Sequence, residues 1–360
     1  MKMTPALPPW TIAAPIVAWL LFAGTKAGLG GAFLVLVAAG LIGGVLAAVH
    51  HAEVVAHRVG EPFGTLVLAV AVTVIEVALI VSLMLAGGPE ATALARDTVF
   101  AAVMIILNGI VGLCLLLGGA RHREQSFGLL GVSASLATLA AIVVLTLILP
   151  NYTVSDPGPV FTPSQLTFIA VVSLLLYGTF VFAQIVRHRD YFLPAEAPGN
   201  EEIHAAAPTA RAASCSALLL LACLGVVVLL AKALAPSIEA GVAAMGAPNA
   251  LVGVIIAAVV LFPEGLAALR AARANRLQTS LNLALGSALA SIGLTIPAVA
   301  IVSLATDLTL TLGIDVKSTV LLLLSLFVTS ISLGTGRTTV LQGTVLLVIF
   351  ATYLFTTVVP

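Results

Sequence analysis

The chain has 360 residues, 61% of them apolar and only 8% charged, with a mean hydropathy of +1.20. Soluble domains carry about 25% charged residues, so a water-soluble fold is excluded. Fifteen basic against fifteen acidic residues leave no cationic footprint for nucleic acid. A hydrocarbon layer of about 30 Å needs about 20 apolar residues per crossing. Eleven runs qualify, near 11–25, 29–49, 63–86, 98–119, 127–149, 165–186, 214–235, 247–269, 280–305, 317–333 and 338–358. The expected fold class is an all-α integral membrane protein with eleven transmembrane helices. Lys2 and the short apolar stretch after it have the outline of a secretory leader, but Pro5, Pro8, Pro9 and Pro15 interrupt it and no clear A-x-A site follows. The first span is therefore expected to be retained. Cys114, Cys215 and Cys223 lie inside apolar runs without pairing or metal spacing and read as small core residues.

Connections between the spans are short except for 187–213, where Arg187, Arg189, Asp190, Glu196, Glu201, Glu202 and Arg211 stand among prolines and alanines. This stretch reads as a linker. The N-terminus and loops 2–3, 4–5, 6–7, 8–9 and 10–11 hold eleven of the fifteen Lys and Arg residues; Lys26, Arg96, Lys232 and Lys317 fall on the other side. By the positive-inside bias the N-terminus is cytoplasmic and the C-terminus outside.

Setting the first span (1–28) aside leaves five spans in 29–186 and five in 214–360, on either side of the linker. An odd number per half forces the halves into opposite orientations. Inverted repeats of this kind place substrate sites near the bilayer midplane. The second span of each half carries one deep acid: Glu76 in GTLVLAVAVTVIEVALIVSLML and Glu264, just after Pro263, in ALVGVIIAAVVLFPEGLAALR. A carboxylate at that depth costs about 2.5–3.5 kcal/mol on insertion scales and marks a functional candidate. Pro263 also removes a backbone donor and frees a carbonyl near Val259. The third spans supply neutral oxygens. Asn108 is the one strongly polar side chain of FAAVMIILNGIVGLCLLLGG, and Ser280, Ser287, Ser291 and Thr295 recur on one helical face of the other third span. Asn282, Gly286, Gly293 and Pro297 form a neighbouring, mostly small stripe suited to close helix approach.

Two carboxylates, an amide, hydroxyls and carbonyls are an all-oxygen set. Hard cations such as Ca²⁺ take six to eight oxygens, whereas zinc and copper favour His or Cys. Two ionised Glu neutralise one Ca²⁺, and two protons neutralise them equally well. Metal and protons then compete for the same oxygens, while an empty ionised site is too costly to move through a closed core. This is the physics of a cation/proton antiporter, with Ca²⁺ and H⁺ as transported substrates and Na⁺ or K⁺ exchange on the same carboxylates as the alternative. No resident cofactor is expected.

The stretches GEPFGTLVLAVAVTVIEVALI (60–80), MIILNGIVGLCLLLGGARHREQSFG (104–128), LFPEGLAALRAARANRLQTSLNLALGSALASIGLTIP (261–297) and GTGRTTVLQGTVLLVIFATYLF (334–355) resemble the bacterial calcium/proton antiporters of the ChaA type, within the cation/Ca²⁺ exchanger superfamily. The resemblance runs from about residue 40 onward. It implies eleven spans, an inverted five-plus-five core, and efflux of Ca²⁺, in some members Na⁺ or K⁺, against inward H⁺. Its paired acids fall on Glu76 and Glu264. Many calcium/proton exchangers have Gly-Asn ahead of each acid, where this chain has Val72-Thr73 and Val260-Leu261. It keeps Asn108 in the first repeat and Gly286-Ser287 in the second, with Ala290 where Gln is common. The expected cation- and proton-binding set is Glu76, Glu264, Asn108, Ser287, Ser291 and Thr73.

His50, Glu53 and His57 stand at i, i+3 and i+7 past the second span, with His51 and Glu61 nearby. Imidazoles beside carboxylates titrate near neutrality, so this cluster is a candidate pH gate or proton pickup point, with a transition-metal site as an alternative. Arg270, Arg273 and Arg276 are expected to meet lipid headgroups. An intramembrane protease needs H-E-x-x-H and an ATP-driven pump needs G-x-x-x-x-G-K-[ST]; neither occurs, and no enzymatic activity is expected.

Overall fold

A computed structural model describes residues 7–60, 63–87, 92–193, 208–306 and 308–359. Glu61 and most of the linker acids lie outside the described residues. Among those described, the chain forms eleven helices: α1 (Pro9–Lys26), α2 (Phe33–Val59), α3 (Phe63–Gly87), α4 (Leu94–His122), α5 (Leu129–Tyr152), α6 (Pro163–Arg187), α7 (Ala210–Ala244), α8 (Ala250–Arg273), α9 (Leu277–Thr306), α10 (Val316–Leu333) and α11 (Val340–Val358). Each overlaps one predicted span. Nine of the eleven are long and apolar enough to cross a membrane. The largest difference from the sequence reading is α7, whose 35 residues continue past position 235 and through Pro236. Its start at Ala210 also shortens the expected linker.

Local chemistry starts several helices. Thr162 and Gln165 form a reciprocal capping box with Pro163 in the first turn of α6, Asp315 accepts from the Ser318 amide at α10, and Thr339 with Gln342 caps α11. These caps satisfy donors that would otherwise be orphaned at the helix ends.

The helices gather into two compact units, each drawing on both halves of the chain. In the unit that holds α1 and α2, Gly40 lies against Leu21 and Leu230, and a side chain at Gly44 would meet Val227 at 3.0 Å. His51, farther along α2, reaches Ser216 near the start of α7. The contacts of α2 thus descend α7 as α2 ascends, so the two helices are antiparallel. In the other unit α4 is the central helix: 83% of its apolar window is buried, against 28% for α11. Gly112 of α4 and Gly343 of α11 let the backbones touch, since a Cβ at Gly343 would stand 2.8 Å from the Gly112 carbonyl oxygen. The other neighbours of α4 are α8, α9 and α10.

Helix ends sort onto two sides within this unit. At one end Gln125 and Ser126 pair antiparallel with Thr338 and Arg337. There the Gln125 amide donates to Ala272 O and Asn275 Oδ1, and Gly128 N donates to Gln278 Oε1. Loops 4–5, 8–9 and 10–11 therefore meet, together with Phe192 of loop 6–7, whose carbonyl accepts from Asn282. At the other end Thr311 N donates to Thr92 O, Val160 bridges Thr311, and Asn151 donates to Ile314 O. That joins loops 3–4, 5–6 and 9–10, the grouping expected from the charge bias.

Candidate functional site

The deep polar residues fall in both units. In α3, Thr73 and Glu76 share a buried stripe at spacing i, i+3, while Val70 and Val74 lie exposed. In α8 Glu264 is half-buried as a whole residue, yet both of its carboxylate oxygens are sealed from solvent. Pro263 is buried inside an uninterrupted helix. Its missing N–H withdraws one intrahelical bond in the turn leading to Glu264.

Asn108 occupies a place that the sequence did not foretell. Residues Ile105–Ile110 form a π-helical turn in the middle of α4. Such turns widen the helix, leave backbone bonds out of register and recur at functional sites. Asn108 is fully buried, and its Nδ2 donates to Ser325 Oγ of α10 at 2.9 Å and to Met104 O at 3.4 Å. Ser325 Oγ in turn donates to Leu321 O at 2.7 Å. Among the described residues, Asn108 Oδ1 has no hydrogen-bond partner.

Depth can be read from contacts between neighbouring helices. A Cβ at Gly253 would meet Asp97 and Thr98, one at Gly265 would meet Ile110 at 3.2 Å, and His122 contacts Arg273 O. The α4 and α8 helices are thus parallel, and the register puts Glu264 level with Asn108. Helix α9 runs the other way, with Ser280 beside Cys114. Seven residues along α9 and six back along α4 cover similar rises of about 1.5 Å per residue, which brings Ser287 to the same level. Ser287 is half-buried, and Ser280, Ser291 and Thr295 are all buried on this helix. One level of this unit therefore carries an acid, an amide and a hydroxyl. The neighbouring small stripe divides: Gly293 is pressed onto the Tyr177 ring, whereas Gly286 faces open space and Asn282 is taken up by Phe192 O.

A cavity of about 220 Å³ lies between α4 and α8, lined by Ile105, Leu113, Leu261 and Phe262 among other apolar residues. It presents almost no polar surface and offers nothing to an ion.

The histidine cluster separates. His57 and Glu53 are exposed, and the half-buried His50 packs against the Trp10 ring at 5.8 Å. His51 is the fully buried one, with ring nitrogens 3.3 Å from Ser216 Oγ and 3.0 Å from Thr11 O. It ties together the ends of α1, α2 and α7. No group of three or more His, Cys, Asp or Glu is placed to hold a metal among the described residues, so the transition-metal alternative gains no support.

Ser325 and His51 were missed as partners. A signal for Ser325 was present: Ser325, Thr329 and Ser332 recur at i, i+4 and i+7 in α10, and all three are buried.

Three pairs of helices at equivalent places in the two halves run antiparallel: α2 with α7, α4 with α9, and α5 with α10. For the last pair, Ile314 N donates to Leu147 O at one end and Gly336 approaches Leu129 at the other. An integral membrane protein of eleven helices, built from inverted halves and carrying buried acids in its second spans, has the architecture of a secondary transporter. The family model for sodium/calcium exchanger proteins matches residues 29–186 and 215–359, and the chain belongs to that family. The two matched segments fall on the two halves. The chain is 52% identical over 328 residues to y4hA of Sinorhizobium fredii, covering 91% of this chain and 89% of that protein. It is 36% identical over 319 residues to the sodium-potassium/proton antiporter ChaA of Escherichia coli, covering 88% and 86%. The solved structure of native YfkE superposes with a TM-score of 0.73 at 16% identity, covering 98% of this chain and all of that one; another structure describes YfkE as a Ca²⁺/H⁺ antiporter protein.

Proposed function

We propose that the protein is a secondary cation/proton antiporter that exports Ca²⁺ in exchange for H⁺, with Glu76 and Glu264 as the exchanged carboxylates. The observation that carries this reading is the burial of both acids within apolar helices, one in the second span of each half. An ionised carboxylate there needs a counter-charge, which one Ca²⁺ or two protons supply equally for the pair. Asn108, Ser287, Ser291 and Thr73 complete the oxygen set as neutral ligands. Because either load leaves the site neutral and the empty site does not, the helices rearrange only when loaded, and exchange is obligatory. The proposed location is a bacterial inner membrane, with a cytoplasmic N-terminus and linker and the C-terminus outside.

A second reading is monovalent exchange on the same carboxylates. It is favoured by the 36% identity to a protein described as a sodium-potassium/proton antiporter. Everted vesicles carrying a pre-formed proton gradient separate the two when Ca²⁺, Na⁺ and K⁺ are added one at a time. Collapse of the gradient by Ca²⁺ is expected. Collapse by Na⁺ or K⁺ alone transfers the substrate to the second reading, and silence to all three overturns antiport.

A further inference from the structure

We infer that Ser325 of α10 is a positioning residue for transport: it dictates which end of the Asn108 amide faces the transported cation. The inference rests on the antiport reading, and it assigns a role to a helix that carries none of the expected ligands.

An amide side chain is ambiguous by shape, since its oxygen and nitrogen ends are nearly isosteric. Only its partners choose the orientation. On one side Asn108 meets Met104 O, a carbonyl that can only accept. It also meets Ser325 Oγ at 2.9 Å. A hydroxyl can donate or accept, but Ser325 directs its hydrogen to Leu321 O, four residues earlier on its own helix, at 2.7 Å, with Met104 Sδ a longer, weaker acceptor at 3.5 Å. What remains toward Asn108 is a lone pair. Both neighbours on that side therefore require donors, and the NH₂ end must face them. Turning the amide over would set its oxygen against a carbonyl oxygen and an occupied hydroxyl, losing both bonds.

The consequence lies at the other end. Asn108 Oδ1 is left in a fully buried position without a hydrogen-bond partner among the described residues. A buried amide oxygen left unmatched is costly unless something else satisfies it. A hard cation takes such an oxygen as a ligand. The π-helical turn of α4 and the depth shared with Glu264 and Ser287 put that oxygen at the level where the proposed ion binds. Ser325 itself touches no ion in this scheme; it acts through Asn108.

The test titrates cation-driven proton movement in everted vesicles, using whichever of Ca²⁺, Na⁺ or K⁺ drives the wild type. Ser325→Ala is expected to raise the cation KM about fivefold, the size of one lost hydrogen bond, with the maximal rate within about twofold. Ser325→Thr keeps the hydroxyl and its backbone bond and is expected to restore the wild-type KM. Ser325→Cys, a poor acceptor of similar volume, repeats the test if the alanine variant does not fold. In an Asn108→Ala background, Ser325→Ala is expected to add nothing further. An unchanged KM in Ser325→Ala, or an equal additional loss in the Asn108→Ala background, would overturn the positioning role while leaving antiport intact. An Asn108→Ala variant with wild-type KM removes the amide as a ligand and this inference with it. A wild type that answers no cation fails the antiport reading itself, and the inference falls with it.

Discussion

The two halves of the chain solve one problem with different backbone devices. In the first half, α3 carries Glu76 on a helix with no internal proline, and the distortions fall on the helices after it: α4 opens into the π-helical turn around Asn108, and α5 and α6 have π-helical turns toward their C-terminal ends. In the second half an internal proline, Pro263, stands beside Glu264 in the acid-bearing helix itself, and α9 runs as a continuous helix past its serines with a proline of its own at Pro297. Both devices loosen the intrahelical hydrogen bonding near a deep polar group, one by an extra residue per turn and the other by a missing donor. The symmetry between the halves is thus one of chemistry and chain direction rather than of local geometry. The carboxylate recurs at equivalent positions, while the means of exposing oxygens around it does not.

That comparison breaks most sharply at the acids. Glu76→Gln and Glu264→Gln are each expected to abolish cation-driven proton movement in everted vesicles, with the purified variants still folded by thermal unfolding in detergent. Full activity in either variant would leave one half without its carboxylate role. Next in size are the neutral ligands. Asn108→Ala is expected to raise the cation KM about tenfold, and Ser287→Ala less, because its hydroxyl stands in a half-buried position; equal effects would make the two third helices interchangeable. The glycines test packing rather than chemistry. At Gly343 the added methyl would press on the Leu116 backbone, so Gly343→Ala is expected to destabilise the protein by about 1–3 kcal/mol in thermal unfolding. Gly286→Ala meets open space and is expected to change stability by no more than about 0.5 kcal/mol. The smallest effect is expected at the end of α2. His50→Gln and His57→Gln should displace the pH profile of exchange slightly without changing its maximum, and an unmoved profile would retire the His50, Glu53 and His57 gate. His51→Gln should act on stability instead, because that ring ties α2 to Thr11 and Ser216.

Much of the framework was legible before any coordinates. Hydropathy is a property of a segment: whether 20 residues enter lipid depends on their own transfer free energies, so runs such as 98–119 and 317–333 announce α4 and α10 directly. The sorting of loops onto two sides is legible from where Arg121, Arg123, Arg270 and Arg337 fall, because loop charge acts on each span as it inserts. Buried acids are equally visible, since Glu76 and Glu264 contradict the apolar stretches around them. The sequence by itself therefore determined the number of helices, their alternating direction and the two acids that stand out.

Tertiary structure decided the partners. Nothing in IILNGI marks a π-helical turn, because that turn depends on what α8, α9, α10 and α11 pack against it. Ser325 stands 217 residues from Asn108 in the chain, and only the packing of α10 against α4 makes it the group that orients the amide. His51, and not its neighbour His50, became the interhelical tie because of which ring the packing of α1 and α7 enclosed. Transfer free energy is local and additive along the chain, so it can be read residue by residue. A hydrogen bond between distant residues exists only after the helices have packed, and the sequence alone does not hold its geometry.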